Sequence, residues 1–358
     1  MHQLLPEVLK VVDSFLEGGE SLMANPPISR EWDHFVAVVK ELDCEIEKEK
    51  SNILSVASAV LKSYLADAMQ TKRNNDRALN GYLGAVCIGD DPKKFINIFL
   101  ALEVLDCSVL ITDDLFDEAE VRANKPAFHR MHGRNITITT ALFLKGLSAQ
   151  IIFDSRIEDG TKLRILREME ELHSKIYEGQ LLDIQYGLRD ICEITIEDYM
   201  NMISLTTGHQ MAGGLKIGGI LSSGGSQVLE DLGEIGLRIG LLGQIRDDLV
   251  DYLPDEKRTW KTPLLDFRNN RKRIPLLIGW RSADNQEKST LSQLQRKGQL
   301  NADDYRTVLS IIMKPRNVEV VKEILENLRD EACKIIENST FTAEGKRLLR
   351  AYISYGTS

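Results

Sequence analysis

Apolar residues recur at i, i+3 and i+4 through most of the chain. The pattern is clearest in EIEKEKSNILSVASAVLKSYLADAMQ, PKKFINIFLALEVLDCSVLITDDLFD, TKLRILREMEELHSKIYEGQLLDIQYGL and NVEVVKEILENLRDEACKIIEN. That spacing lays an apolar stripe along a helix, so helices are predicted over all four. β-Hairpin punctuation is missing. Helix stops are predicted at GDDP (Gly89 to Pro92), at Asp159-Gly160 and at SSGGS (Ser222 to Ser226). Pro92 falls in the first turn of the following helix, where an N–H is not needed. No composition shift marks a boundary, and no internal repeat of solenoid length is evident. The expected architecture is all-α, a single-domain helical bundle of about ten or more helices. Its main domain is expected over residues 51–358, with residues 1–50 as an N-terminal helical appendage.

Two polar interruptions of this pattern carry candidate chemistry. Asp113, Asp114 and Asp117 form DDxxD at the end of FINIFLALEVLDCSVLI, a nearly all-apolar segment. Residues three and four apart share a helix face, and like charges there repel. An acidic run alone reads as a solvated helix end. A helix apolar all round belongs in a core, however, so these carboxylates emerge from the interior of a bundle. Asp247, Asp248 and Asp251 repeat the arrangement at the end of LRIGLLGQIRDDLVDYL. Opposed clusters of hard oxygen ligands would hold Mg²⁺ around a diphosphate. Asp90-Asp91 and Asp303-Asp304 have neither a third aspartate nor an apolar helix before them. They read as a turn and a helix start.

Charge and cysteines narrow the classes. A net charge of -9 argues against nucleic acid and against a basic membrane-binding patch. A negative protein can still bind an anion if cations lie between them. The five cysteines (Cys44, Cys87, Cys107, Cys192, Cys333) form no CxxC and no disulfide framework. That suits a reducing compartment, and the expectation is cytoplasmic. The N-terminus lacks the basic region of a signal peptide, and no run reads as a membrane span.

The paired DDxxD motifs resemble those of the trans-isoprenyl diphosphate synthases. The resemblance runs from about residue 70 to the C-terminus. It includes Lys125-Pro126, EGQLLDI (Glu178 to Ile184), TTG (Thr206 to Gly208), GQIRDDLVD and DFRNNRKRIPLL (Asp266 to Leu277). It implies the isoprenoid synthase type of bundle, with all six aspartates as catalytic metal ligands for three Mg²⁺ ions. It also implies an allylic diphosphate substrate held by Arg122, Thr207, Gln244, Lys261 and Arg271, and a homodimer. A prenyl pocket below Asp113 would be lined by Phe95, Phe99, Leu105, Ser108, Val109, Tyr177 and Gln180. Val109 and Ser108 are small and stand where bulky residues would shorten the chain, which admits a farnesyl group or a longer one, and Leu105 offers a floor; ordinary core packing would use the same side chains. Aromatic side chains could steady carbocations by cation–π contact.

This sequence departs from the family where isopentenyl diphosphate, the second substrate, is bound without metal. The family's GGKxxR turn falls on KRNNDR, with Asn74 at the lysine and Arg77 at the arginine. Asp106 takes the place of a His or Gln, and RAN replaces RRG, so that Ala123 follows Arg122. Thr206-Thr207 replaces a Lys-Thr pair on the allylic side. Each lost charged hydrogen bond is worth roughly 1.5–3 kcal/mol. The expected function is therefore a class I terpene cyclase ionising one prenyl diphosphate, most naturally farnesyl, to a sesquiterpene. The alternative is a trans-prenyltransferase, either a working isoprenyl diphosphate synthase or one serving a non-isoprenoid acceptor. A regulatory, non-catalytic subunit ranks behind both, because both aspartate motifs are complete. His129 and His132 form HxxH without a third ligand, His209 reads as a packed histidine, and the glycine pairs of MAGGLKIGGI follow no strand.

Overall fold

The computed structural model describes residues 30–71, 74–252, 264–297 and 299–357. Its helices, in chain order, are α1 (Arg30–Val56), α2 (Ala59–Met69), α3 (Asp76–Ile88), α4 (Ile96–Phe116), α5 (Phe128–His132), α6 (Arg134–Asp154), α7 (Asp159–Leu188) and α8 (Ile196–Ile203). There follow α9 (His209–Leu221), α10 (Ser226–Val250), α11 (Leu265–Arg268), α12 (Ile274–Ser282), α13 (Asn285–Arg296), α14 (Ala302–Ile312), α15 (Pro315–Asn338) and α16 (Ala343–Thr357). The all-α expectation holds.

Four helices make the centre: α4 packs on α3, α3 on α9, and α9 on α10. The glycine pairs of α9 explain the closeness of this packing. A Cβ on Gly84 of α3 would run into the Leu215 carbonyl of α9, and one on Gly218 would run into the Gly81 carbonyl. The backbones touch at these points, so Gly84→Ala should force the helices apart. Overpacking of this kind costs about 1–3 kcal/mol, which urea denaturation would read as a lower midpoint at unchanged slope. The carboxyl ends of α4 and α10 carry the two aspartate motifs, with Asp117 and Asp251 as the terminal caps.

Local details differ from expectation in several places. The boundary expected at residue 50 falls inside α1, and Trp32, Phe35, Leu42 and Ile46 of that helix join the same core as α4. Asp159-Gly160 opens α7 instead of ending a helix, because the Glu158 side chain accepts hydrogen bonds from the amides of Gly160 and Thr161. Val121–Arg122 and Lys125–Pro126 pair as a small antiparallel hairpin. Ala123 and Asn124 at its tip both have positive φ, 51° and 62°, the mirror-image turn that tight hairpins require. Asp91, by contrast, caps the short turn at Pro92 as expected, and Asn301 with Asp304 forms a capping box at the start of α14.

Among the described residues two helices, contrary to the sequence reading, are long and apolar enough to span a membrane. These are the segment Pro92–Phe116, with 78% of its apolar 18-residue window buried, and α6, with 33% of its window buried. The first is the core helix α4 with its leading turn. The second is packed on one side by α4, and Leu142 and Phe153 lie open on its other faces, 69% and 62% exposed.

Candidate active site

Both motifs open onto one cleft of about 280 Å³, which all six expected aspartates line together with Gln244 and Arg122. Among the described residues, ten carboxylates and three arginines (Arg77, Arg122 and Arg273) line it.

Within each motif the aspartates have different surroundings. Asp113 and Asp247 face solvent, Asp113 with 36% of its side chain exposed. Asp114 is buried and pairs with Arg122, whose Nη2 lies 2.5 Å from it and 3.8 Å from Asp113. Asp117 accepts from Arg271. Asp248 is buried beneath the hydroxyl of Tyr199 (2.7 Å) and the amide of Gln244 (2.8 Å), and Gln244 in turn accepts from Thr207 (2.7 Å). Thr207 lies in a π-helical turn, Ser204–Gly208, and supports Gln244 without itself lining the cleft. Both oxygens of Asp251 accept backbone amides, from Leu265 (3.2 Å) and Asp266 (3.1 Å). This expected metal ligand therefore anchors the chain where α11 begins.

The arginines behind the aspartates form a second layer that sequence reading largely missed. Asp183 of α7 accepts two bonds from Arg273 (2.8 and 3.1 Å) and one ion pair from Arg271 (3.0 Å). Arg273 also stands 3.5 Å from Asp266 and 3.9 Å from Asp248. Arg273 and Asp266 line the cleft and Arg271 does not, so Arg273 is the basic residue that reaches it. Both lay within DFRNNRKRIPLL, and Asp183 within EGQLLDI. Lys261 lies outside the described residues, as do Lys72 and Arg73.

The expected prenyl pocket is placed differently. None of its seven residues lines the cleft. Phe99 is fully buried against Gly81 and Leu102, fourteen residues before Asp113, or about 21 Å along the helix. Phe95 stacks edge-on against it. Leu105 and Ser108 are core residues, Ser108 bonding its own helix at Leu105, and Val109 is half-buried. Tyr177 stands nearer, its hydroxyl 3.1 Å from that of Thr112 beside Asp113. Gln180, one turn on towards Asp183, has a buried Nε2 without a hydrogen-bond partner. His132 bonds Asp67 at 2.9 Å and packs on Tyr64 and Phe128, which accounts for it without a metal.

The donor set fits Mg²⁺. Carboxylate oxygens are its preferred protein ligands, and it keeps water or phosphate oxygens as the rest. Among the described residues no three His, Cys, Asp or Glu side chains enclose an ion by themselves. Burial, partly offset by Arg273, raises the Asp248 carboxyl to about 7. Burial and then Asp117 push Asp113 the same way, although solvent screens it more. A carboxyl raised on folding binds more protons in the native state than in the unfolded one. The metal-free protein should therefore lose stability as pH rises from about 4 to about 7. Because binding needs the carboxylates charged, Mg²⁺ with pyrophosphate should raise the melting temperature more at pH 8 than at pH 6. Differential scanning fluorimetry checks both signs.

Residues 60–312 match the polyprenyl synthetase family model. The geranylfarnesyl diphosphate synthase of Aeropyrum pernix is 26% identical over 73% of this chain and 82% of its own. A short chain isoprenyl diphosphate synthase of Methanocaldococcus jannaschii is 27% identical over 65% of this chain and 69% of its own. Among solved structures, the geranylgeranyl pyrophosphate synthetase of Pyrococcus horikoshii superimposes with a TM-score of 0.82 at 22% identity, covering 92% of this chain and 99% of that one. That of Corynebacterium glutamicum, in complex with isoprenyl diphosphate and magnesium, gives 0.77 at 19% identity over 91% and 98%. The fold is the all-helical isoprenoid synthase fold. These relatives are named as diphosphate synthases and not as cyclases, which moves the weight from the expected cyclase to its prenyltransferase alternative. A match over 253 of 358 residues, with both aspartate motifs facing one cleft, makes this chain a member of the polyprenyl synthetase family.

Proposed function

We propose that the protein is a Mg²⁺-dependent prenyltransferase that ionises an allylic prenyl diphosphate, with farnesyl diphosphate the first substrate to test. The observation that carries this reading is that Asp113, Asp114 and Asp117 line one cleft together with Asp247 and Asp248. Mg²⁺ bound there, expected as three ions, would supply the positive charge that lets a diphosphate leave. Arg122 and Arg273 hold fixed positive charge beside those carboxylates, and Tyr199 and Gln244 hold Asp248 in place. The names of the relatives support transfer to an acceptor. Cyclisation of a single substrate is the second reading, favoured by the pairing of Arg77 with Asp106.

Product analysis by gas chromatography–mass spectrometry tests the choice. Geranyl, farnesyl and geranylgeranyl diphosphates are each supplied with Mg²⁺, with and without isopentenyl diphosphate. A longer linear diphosphate made only with isopentenyl diphosphate establishes elongation. A cyclic hydrocarbon or alcohol from one substrate establishes the cyclase.

The reading includes a homodimer. The open apolar face of α6 around Leu142 and Phe153 is suited to a second copy. Light scattering should give twice the chain mass, and Leu142→Lys should halve it.

A further inference from the structure

We infer that Arg273 is a fixed cation of the second aspartate motif, which makes Asp247 and Asp248 take up a metal ion far more tightly with a diphosphate than without one. This rests on the reading that both motifs bind Mg²⁺ for a leaving diphosphate. Arg273 stands at the start of α12 and lines the cleft with Asp247, Asp248 and Asp266. Its Nε lies 3.5 Å from Asp266 and 3.9 Å from Asp248, and it has no hydrogen-bond partner. At these distances the link is one of charge and not of a shared proton.

This charge cannot move aside. Nη1 and Nη2 of Arg273 fork onto the two oxygens of Asp183 at 2.8 and 3.1 Å, and Asp183 is held in turn by Arg271 at 3.0 Å. A bidentate fork fixes a guanidinium in direction as well as in distance. The Arg273 side chain is only 10% exposed. Arg122, the cation beside the first motif, is 24% exposed on its small hairpin and has solvent to turn into. Asp248 is pinned too, because Tyr199 and Gln244 bond its two oxygens. Cation and carboxylate therefore keep their places whatever enters the cleft.

An ion bound by Asp247 and Asp248 shares those carboxylates with Arg273. Two cations beside one carboxylate repel each other, and the repulsion is strongest where water is excluded. A diphosphate brings negative charge into the same cleft and offsets it. Ion and diphosphate then favour each other, by the same factor in both directions. For the reaction, the consequence is that the full positive charge assembles only once the leaving group is in place.

Mn²⁺ binding, followed by electron paramagnetic resonance with and without inorganic pyrophosphate, tests this without turnover. Arg273→Gln should tighten Mn²⁺ binding in the absence of pyrophosphate by about 10- to 100-fold. Adding Asp247→Asn should abolish that gain. Arg273→Lys, which keeps the charge, should stay close to the wild type. Pyrophosphate should strengthen Mn²⁺ binding less in Arg273→Gln than in the wild type. Arg273→Met serves if the glutamine variant melts early. A neutral variant that binds Mn²⁺ no more tightly than the wild type would overturn the inference. So would a gain shared by Arg273→Lys, or one that survives Asp247→Asn. No Mn²⁺ binding with pyrophosphate by wild type and variants alike would overturn the proposed function and the inference together. The expected tightening without diphosphate release from any allylic substrate would overturn the proposed function alone.

Discussion

Asp113→Asn should slow diphosphate release from an allylic substrate by about 10²- to 10³-fold, the usual loss when one preorganised electrostatic partner of a leaving group is removed. The same variant should be as stable as the wild type or slightly more so. Asp113 is partly exposed, and its removal takes one negative charge from a cleft that, among the described residues, ten carboxylates and three arginines line. Asp247→Asn should behave likewise, because that side chain also faces solvent. Asp114→Asn should differ. Its carboxylate is buried against Arg122, so losing it leaves a guanidinium short of a partner, at a cost of about 1–3 kcal/mol. Paired rate and urea measurements on the three variants separate a metal ligand from a structural ion pair. If Asp113→Asn kept full activity, the first motif would not be serving the leaving group.

Asp183→Ala should be the most destabilising single change at the site, by about 3–5 kcal/mol. Its two oxygens hold both Arg271 and Arg273, and all three side chains are buried. Truncation removes the shared counter-charge from two guanidinium groups at once. Activity should fall too, since Arg271 contacts Asp117 and Arg273 approaches Asp248. Asp183→Glu, which restores the charge, should recover part of the stability. Urea denaturation of both variants checks this, and an alanine variant with an unchanged midpoint would mean that the arginines are held by their other partners alone.

The parts of this site that were legible in the sequence are those written at helical spacing. Asp113, Asp114 and Asp117, and their counterparts after Gln244, mark the ends of apolar helices, and the fold brings those ends together. What surrounds them was not legible in the same way. Asp117 and Arg271 are 154 residues apart, Asp183 and Arg273 are 90 apart, and Tyr199 and Asp248 are 49 apart. Helical periodicity speaks only to neighbours three and four residues away. The choice of Arg271 over Arg273 turned on side-chain direction two residues apart, which the chain alone does not give. Phe99 has the apolar spacing of a pocket wall, but the bare surface of Gly81 receives it in the core. The hairpin at Val121 was hidden because Ala123 and Asn124 adopt positive φ without a glycine. Asp106 was read as a repulsive charge, and it does more than repel. It also pairs with Arg77, whose Nε lies 3.3 Å away.

The most direct test of the central claim is pyrophosphate release by the wild-type protein, measured with geranyl, farnesyl and geranylgeranyl diphosphates in Mg²⁺ and in EDTA. Release that requires Mg²⁺ and collapses in Asp113→Asn and Asp247→Asn is the predicted result. No release from any of the three substrates with Mg²⁺ present would contradict the claim that the two aspartate motifs form an ionisation site.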